Sequence, residues 1–381
     1  MIKKYYIVSV LMLIFSSSGF AQQEQIKKFI DCGFPSLSDY RCYAYDIIHS
    51  KSNSKEIEIS QKYNSATINK HLQNRMKIMR TASFLVVQNN KIIYENYWLK
   101  FEKDSVMNSF SVAKTIVSLL IGIAIDQGKI KSVDEKVSDY LPWFNQNYDS
   151  LVTIKHLLTM SSGINWSEEF LNPKSDIVRA YYGDNIQDLI YKTHATKIPG
   201  KKWNYQCGNT ILLSLILEKA TGMPIAEYAE KYLWKPIGAT HDAYWSKSSE
   251  DSITRAFCCF YATPRDFAKL GLLVLNKGYM NNQQIVSKKY LEQMIGPADN
   301  LIYGKNRKVD FYASHIWLVK YHGHVYPYFS GMFGQYIIII PEYNAVVVRT
   351  GEMINELYIV PEPKDLRLYL KVAFKILTSK K

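Results

Sequence analysis

The sequence predicts an α+β fold in which an antiparallel sheet is flanked by helices and a mainly helical region is inserted between parts of the sheet. Three observations lead to this prediction. Two apolar runs flank Asn89-Asn90 in a strand–turn–strand pattern. A second pair of apolar runs, QYIIIIP and AVVVRTG, occupies residues 335–351, and helical patterns fill the intervening residues from about 132 to 250. The strands at the two ends must therefore pair over a long distance in sequence.

The first residues have the features of a secretory signal peptide. Lys3 and Lys4 give a basic start, an apolar run extends over residues 7–15, and small residues end at Ala21. The apolar run is too short to cross a bilayer, and no cysteine follows Ala21 for a lipid to modify. We expect a signal peptide over residues 1–21, cleavage after Ala21, no stable membrane insertion, and a periplasmic or secreted protein.

Composition indicates a globular chain and argues against a nucleic-acid partner. With 47% hydrophobic and 14% aromatic residues in 381 positions, the chain can bury a large core. The net charge of +13 comes from lysines spread along the chain rather than from one basic block. A generally basic surface on an exported protein argues against nucleic acid and makes anionic cell-envelope material a more natural neighbour.

The cysteines and histidines give no metal signature. The five cysteines are an odd set, and Cys32 and Cys42 are close enough in sequence to close a short loop, although spacing does not decide whether they do. His322 and His324 have no third ligand at a suitable spacing. No phosphate-binding glycine loop or dinucleotide signature is present. We therefore expect neither a metal site nor a cofactor.

The main domain is expected over residues 81–381. Residues 22–80 are polar and lysine-rich, and we interpret them as an N-terminal segment that leads into this domain, with a helix over 69–79. The hairpin at residues 83–98 then opens the domain, because asparagine tolerates the left-handed conformation of a tight turn. A terminal helix begins near Pro363.

A helix rich in apolar residues follows the hairpin and contains a single lysine. From Val112 to Ile125 nearly every residue is apolar on all sides, which is typical of a buried helix, and Gly128 suits its C-terminal end. Lys114 lies one turn into this helix. An unpaired ammonium buried there costs several kcal/mol, roughly, so either the side chain reaches solvent or the fold holds it for a purpose.

Ser111 and Lys114 have the spacing Ser-x-x-Lys, which places both on one face of the helix. A serine hydroxyl becomes a nucleophile when a nearby base takes its proton, and a desolvated lysine can be neutral or can lower the pKa of a neighbouring acid. The helix N-terminus adds N–H groups for a developing oxyanion. The alternative is that Ser111 only caps the helix. The continuous apolar run around Lys114 favours the catalytic interpretation.

The segment SFSVAKTIVSLLIG resembles the nucleophile helix of the serine β-lactamase and penicillin-binding superfamily, particularly the class C-like branch with its esterases and 6-aminohexanoate-dimer hydrolases. Four further segments are similar to that superfamily in the same order: residues 153–166, 199–222, 262–278 and 329–348. Several ordered segments are more specific than any one of them. The resemblance implies a β-lactamase/transpeptidase-like fold and a serine hydrolase.

The resemblance also implies roles for individual residues. Ser111 would attack a carbonyl carbon, and Lys114 would hold the Ser111 hydroxyl and adjust its reactivity. Tyr205 would act as general base or acid. A phenol with a pKa near its usual value of about 10 can serve only if cations stabilise the phenolate, which gives Lys114 a second use. The backbone N–H groups of Ser111 and Met332 would form the oxyanion hole, and Gly331 would permit a close backbone approach.

Two departures from the family pattern bear on the substrate. The class C motif Tyr-x-Asn reads Tyr-Gln-Cys at residues 205–207, and an asparagine appears only at Asn209, as in the oligomer-hydrolase branch. The Lys-Thr-Gly motif, whose cation grips a substrate carboxylate, reads Phe-Ser-Gly at residues 329–331. Without that cation, tight binding of a penicillin-type carboxylate is less favoured, whereas ester or amide hydrolysis is unaffected.

Asn209 and Gly331 are candidates for the substrate cleft. In the helical insert, the segment YYGDN at residues 181–185 adds Tyr181, and Asp176 precedes it. A solvent-facing aromatic loop is the alternative interpretation of this segment.

These observations together predict a serine hydrolase that cleaves small ester, amide or peptide-like substrates through a Ser111 acyl-enzyme. Two alternatives stay open. One is a penicillin-binding-type sensor or scaffold that binds without turnover, and the other is a true class C-like β-lactamase or D-Ala-D-Ala peptidase. The intact set of Ser111, Lys114 and Tyr205 favours an enzyme. Neither the substrate nor the oligomeric state follows from the sequence.

Overall fold

The computed structural model describes residues 27–249, 251–298, 300–352 and 362–379. The predicted signal peptide lies outside these ranges. No helix in the described residues is both long and apolar enough to cross a membrane.

The strands of the described chain are numbered in chain order. They are β1 (Ala44–Ile48), β2 (Glu58–Ile59), β3 (Thr81–Gln88), β4 (Lys91–Tyr97), β5 (Met107–Asn108), β6 (Ala243–Lys247), β7 (Phe260–Ala262), β8 (Tyr279–Met280), β9 (Gln283–Gln284), β10 (Ile302–Tyr303), β11 (Arg307–Lys308), β12 (Trp317–Tyr321), β13 (His324–Gly331), β14 (Gln335–Ile340) and β15 (Ala345–Gly351).

The helices are numbered in the same way. They are α1 (27–32), α2 (Lys70–Ile78), α3 (Val112–Asp126), α4 (Ile154–Leu158), α5 (Asp176–Tyr182), α6 (Ile186–Ile190), α7 (Gly208–Thr221), α8 (Ile225–Ala229), α9 (Pro264–Leu275), α10 (Lys288–Ile295) and α11 (Lys364–Leu377).

A seven-stranded sheet in the order β12-β13-β14-β15-β3-β4-β2 confirms the predicted sheet of distant segments. From β12 to β4 every neighbouring pair is antiparallel, and only the short edge strand β2 runs parallel to its neighbour. The turn between β3 and β4 contains Asn89 and Asn90, both with positive φ, as the hairpin prediction requires. The long-range closure is the pairing of β3 with β15, in which Leu85 faces Val348.

The sheet is buried on both faces because its side chains alternate between two hydrophobic cores. In β3, Leu85 and Val87 belong to the first core, whereas Phe84 and Val86 belong to the second. Helix α9 packs on the first face, and α2 and α11 pack on the second. Helix α3 contacts β13 on the first side, which places the helix that carries Lys114 beside the sheet.

A second sheet, in the order β1-β6-β7-β5, connects the N-terminal segment to the rest of the fold. β1 pairs with β6, with Ala44 opposite Lys247, and β5 pairs with β7. Within the described residues, the segment before residue 80 is thus packed on the domain: β1 joins this sheet, β2 joins the edge of the main sheet, and α2 covers its second face.

Between residues 132 and 249 the regular structure is mostly helical: α4 to α8 are joined by irregular segments, and β6 follows them. Helix α7 packs along α3 and also contacts α4. Its cap residue is Cys207, and it ends at Gly222 in the left-handed conformation. The residues just before α7, which include Tyr205, are therefore held close to the start of α3.

Candidate active site

Ser111 lies at the N-terminal cap of α3, and Lys114 lies one turn further along. Lys114 Nζ donates to Ser111 Oγ over 3.0 Å and to the backbone carbonyl oxygen of Phe257 over 2.7 Å. The lysine is only 2% exposed. Of the two possibilities raised by the sequence, the fold holds this lysine by hydrogen bonds instead of letting it reach solvent.

The turn before the nucleophile contains an unusual backbone conformation. Phe110 has a φ of 47°, a left-handed value that is rare for a bulky residue. Its N–H donates to Asn108 Oδ1 over 2.9 Å, and its buried ring packs edge to face on Phe333. The turn leaves Ser111 partly exposed at the start of the helix.

A buried polar cluster from the N-terminal segment supports this turn. Asp39 Oδ1 accepts hydrogen bonds from Tyr261 Oη over 2.8 Å and Asn108 Nδ2 over 3.1 Å, and Oδ2 accepts one from Tyr181 Oη over 3.1 Å. Burial raises the pKa of Asp39, although these donors act in the opposite direction. The backbone N–H of Asn108 also donates to the Leu37 carbonyl oxygen. Residues 37–39 therefore help to position the turn that precedes Ser111.

Tyr205 lies against Lys114 on one side and an aromatic cluster on the other. Lys114 Nζ is 4.9 Å from the centroid of the Tyr205 ring, within the range of a cation–π contact. The same ring is 5.6 Å from the Trp317 ring and 6.3 Å from the Tyr312 ring, centroid to centroid. The structure thus brings Ser111, Lys114 and Tyr205 together.

The end of β13 passes very close to the nucleophile loop at Gly331. A Cβ atom at this position would lie 2.1 Å from the Ser109 carbonyl oxygen, so only glycine fits without a backbone shift. Met332 follows directly, in the short 3-10 turn Met332–Gly334. The backbone segments that carry the N–H groups of Ser111 and Met332 are therefore neighbours, as an oxyanion hole formed from both would require.

Glu168 is a carboxyl group beside these residues that the sequence analysis did not single out. Its Oε1 accepts the backbone N–H of Cys207, while its buried Oε2 has no hydrogen-bond partner among the described residues. Desolvation raises the pKa of Glu168 to about 7, against the opposing effects of the Cys207 N–H and the charge of Lys114. The sequence feature that could have identified Glu168 is the acidic pair in NWSEEF, which comes at the end of a family-like segment.

His315 lies behind Lys114 and is buried. Burial is the main cause that lowers the pKa of this histidine to about 3, with the Leu158 carbonyl acting in the opposite direction and the charge of Lys114 in the same one, so the imidazole is neutral at pH 7. One ring nitrogen, Nδ1, is 2.7 Å from the Leu158 carbonyl oxygen, and the other, Nε2, is 2.9 Å from Thr210 Oγ1. His315 thus connects α4 to α7 without adding a second cation beside Lys114.

Three residues predicted to line the cleft are engaged elsewhere. Asn209 is fully buried, and its Nδ2 donates to the Gln206 carbonyl oxygen over 3.1 Å. Asp176 accepts hydrogen bonds from Ser167, and Tyr181 donates to Asp39. Buried polar groups require hydrogen-bond partners, and these contacts supply such partners to the three side chains from within the protein. In the described part of the chain, none of these hydrogen bonds is made to Ser111 or Lys114, and the placement of the three side chains in the cleft stays a prediction.

The cysteines pair differently from the possibility raised by spacing. Cys32 and Cys42 are free thiols, with Cys32 Sγ 3.7 Å from the Cys42 carbonyl oxygen. Cys207 is also free, and burial raises the pKa of its thiol, which disfavours the reactive thiolate. The disulfide of the described chain instead joins the adjacent residues Cys258 and Cys259.

One group of side chains in the described residues has the composition of a metal site. The ligand atoms of Glu56, Asp104 and His241 lie within 4.8 Å of one another. Glu56 Oε2 is 3.3 Å from Arg265 Nη1, and His241 Nδ1 is 3.3 Å from Asp266 Oδ2. Asp104 in turn lies 3.8 Å from Lys103 Nζ, so all three side chains have ion-pair partners within the protein.

Comparison with known proteins agrees with the fold. The Beta-lactamase family model matches residues 68–373. A 6-aminohexanoate-dimer hydrolase of Paenarthrobacter ureafaciens is 25% identical over 234 residues, which make up 59% of this chain and 59% of that protein. The chain thus matches little more than half the length of this relative.

Two solved structures are similar over most of the chain. A putative 6-aminohexanoate-dimer hydrolase from Bacillus anthracis has a TM-score of 0.75 and 19% identity, with 94% of this chain and 95% of that chain covered. A family VIII carboxylesterase has a TM-score of 0.64 and 16% identity, with 87% and 100% covered. These likenesses confirm the predicted β-lactamase/transpeptidase-like fold. The match to the family model over residues 68–373 shows that the chain belongs to the Beta-lactamase family.

Proposed function

We propose that the protein hydrolyses small esters or amides through an acyl-enzyme formed on Ser111. The observation that carries the proposal is the buried Lys114, whose ammonium group donates to Ser111 Oγ over 3.0 Å and contacts the ring of Tyr205. A lysine is retained in an apolar helix at such a position when the site uses it.

In the proposed acylation step, Ser111 Oγ bonds to the substrate carbonyl carbon while its proton passes to the oxygen of Tyr205, whose phenolate form the Lys114 ammonium stabilises. The bond to the leaving alcohol or amine then breaks, and that group receives the proton. The N–H groups of Ser111 and Met332 stabilise the negative oxygen that forms in between.

In the proposed deacylation step, water replaces the leaving group. Its oxygen bonds to the acyl carbon, its proton passes to Tyr205 and Lys114, and the Ser111 ester bond breaks as Oγ takes the proton back. Glu168 titrates near neutral pH within reach of the charge of Lys114, so it is suited to take part in the same exchange of protons.

The substrate class follows from the third motif and the relatives. Phe-Ser-Gly at residues 329–331 offers no cation for a carboxylate, which favours esters and amides over penicillin-type substrates. One relative is named a 6-aminohexanoate-dimer hydrolase, so a linear aminohexanoate dimer is an informative amide. We propose that the protein acts after export, with the signal peptide removed after Ala21.

The test is intact-protein mass spectrometry after incubation with p-nitrophenyl esters, a linear aminohexanoate dimer, nitrocefin and a penicillin, combined with assays of product release. We expect an adduct on Ser111 and continued release from an ester or from the linear amide. Ser111→Ala should give neither, whereas Ser52→Ala, at an exposed serine, should behave as the wild type. Unchanged turnover in Ser111→Ala would refute the mechanism. A lasting penicillin adduct without release would instead indicate a binding sensor.

A further inference from the structure

Two adjacent cysteines lie directly after the residue that holds Lys114. Cys258 and Cys259 form a disulfide, and both are buried. The preceding residue, Phe257, accepts the 2.7 Å hydrogen bond from Lys114 Nζ with its backbone carbonyl, and its ring centroid is 5.8 Å from the same nitrogen. We propose that the Cys258–Cys259 disulfide positions the Phe257 carbonyl and thereby holds Lys114 for reaction at Ser111. This inference rests on the proposed function.

The backbone of the disulfide is fixed to a neighbouring strand. The Cys258 carbonyl oxygen accepts a hydrogen bond from Trp245 Nε1 over 3.0 Å, and the Cys259 carbonyl oxygen accepts one from the Ser246 N–H over 3.0 Å. Trp245 and Ser246 both belong to β6, which is the centre of the second sheet. The disulfide therefore lies between a strand on one side and the partner of Lys114 on the other.

The conformation at Cys259 indicates why a covalent link matters here. Its φ is 63°, in the left-handed region that residues with a side chain seldom adopt. A disulfide between neighbours closes a small ring around the intervening peptide unit and so limits the conformations open to it. The next residue, Phe260, accepts the Ser109 N–H with its carbonyl over 2.9 Å. A conformational change in residues 257–260 would thus alter the positions of both Lys114 and the turn that precedes Ser111.

Reduction is the perturbation that tests this role. A thiolate of a dithiol reductant attacks one cysteine sulfur, the disulfide bond breaks, and a second exchange releases the reductant as its own disulfide. Two electrons pass to the protein, and both cysteines gain a proton to become thiols. The freed segment no longer has the ring that fixes the Phe257 carbonyl.

The experiment compares oxidised protein with protein reduced by dithiothreitol and then freed of reductant by gel filtration. Alkylation and intact mass report the state of the cysteines. We measure the rate of Ser111 labelling by a fluorophosphonate, and kcat and KM for a p-nitrophenyl ester. Reduction should lower the labelling rate and kcat by roughly tenfold or more, the effect of losing one hydrogen bond to a charged group, with KM little changed. Reoxidation should restore both rates.

Two double variants sharpen the comparison. Cys258→Ser with Cys259→Ser should reproduce the reduced rates and lose the response to dithiothreitol. Cys32→Ser with Cys42→Ser, the matched control at free thiols, should keep the wild-type rates and the full response.

The possible failures are distinguishable. Three results would overturn this inference without affecting the proposed function. The first is an equal labelling rate in the oxidised and reduced proteins, and the second is a lower melting temperature on reduction without a change in kcat. The third is the presence of free thiols at Cys258 and Cys259 before reduction. Absence of any labelling or turnover in the oxidised protein would overturn the proposed function, and this inference with it.

Discussion

Replacing Glu168 by glutamine should change how the stability of the protein depends on pH. Glutamine has nearly the same shape and can still accept the Cys207 N–H, but it carries no titrating proton. In the wild type the pKa of Glu168 is raised from 4.5 to about 7. A carboxyl group whose pKa is raised by folding contributes stability that is present below its unfolded pKa and is lost as the pH rises through its folded pKa.

The magnitude follows from the size of the shift. At about 1.4 kcal/mol per pKa unit, a shift from 4.5 to about 7 corresponds to roughly 3.5 kcal/mol of unfolding free energy. Roughly 2.5 kcal/mol of that falls between pH 5 and pH 8. Over this interval the wild type should therefore lose about 2.5 kcal/mol more stability than Glu168→Gln does.

The assay is urea unfolding followed by tryptophan fluorescence at pH 5, 6.5 and 8. Subtracting the variant from the wild type at each pH removes the contributions of the other titrating groups. Glu169→Gln, at the exposed neighbouring position, is the control and should follow the wild type. Parallel pH profiles for the wild type and Glu168→Gln would show that Glu168 is ionised throughout and would refute the argument from its buried oxygen.

Three further predictions concern the same site. Tyr205→Phe should lower kcat for a p-nitrophenyl ester by roughly 10²–10⁴ with an unchanged melting temperature, and a retained rate would exclude the phenol from proton transfer. Gly331→Ala should destabilise the fold by about 1–3 kcal/mol in thermal melts and abolish Ser111 labelling, because its Cβ would meet the Ser109 carbonyl. Gly296→Ala, where the nearest atom would be 3.4 Å away, is its control. Tyr261→Phe removes a donor to the buried Asp39 and should cost about 1–3 kcal/mol in denaturant unfolding, whereas a loss near zero would mean that water replaces the phenol.

Local patterns in the sequence were sufficient to predict the main sheet, the hairpin and the nucleophile helix. Alternation of apolar residues and turn-forming asparagines are properties of short segments, so they can be recognised without the fold. The pairing of Ser111 with Lys114 was predictable for the same reason, since both lie on one helical turn. Tyr205 needed the family resemblance, because nothing in its immediate neighbours distinguishes it from the other tyrosines.

The remaining parts of the site depend on contacts between distant segments. The second partner of Lys114 is a backbone carbonyl, at Phe257, and a carbonyl group has no signature in the sequence. Glu168 becomes unusual only when folding buries one of its oxygens beside α7. The predicted cleft residues Asp176 and Tyr181 were assigned from their position in the helical insert, whereas folding turns their polar atoms toward Ser167 and Asp39.

The pairing of β3 with β15 also has a consequence for synthesis of the chain. β3 gains this neighbour only when residues 345–351 have been made, and β1 must wait for residues 243–247. Contacts this far apart in sequence form slowly, because a long stretch of chain must close first. The supports of Ser111 likewise come from residues 37–39, 257 and 331. A nascent chain that lacks its final strands therefore lacks several of the contacts that position Ser111, and the proposed hydrolysis requires nearly the whole polypeptide.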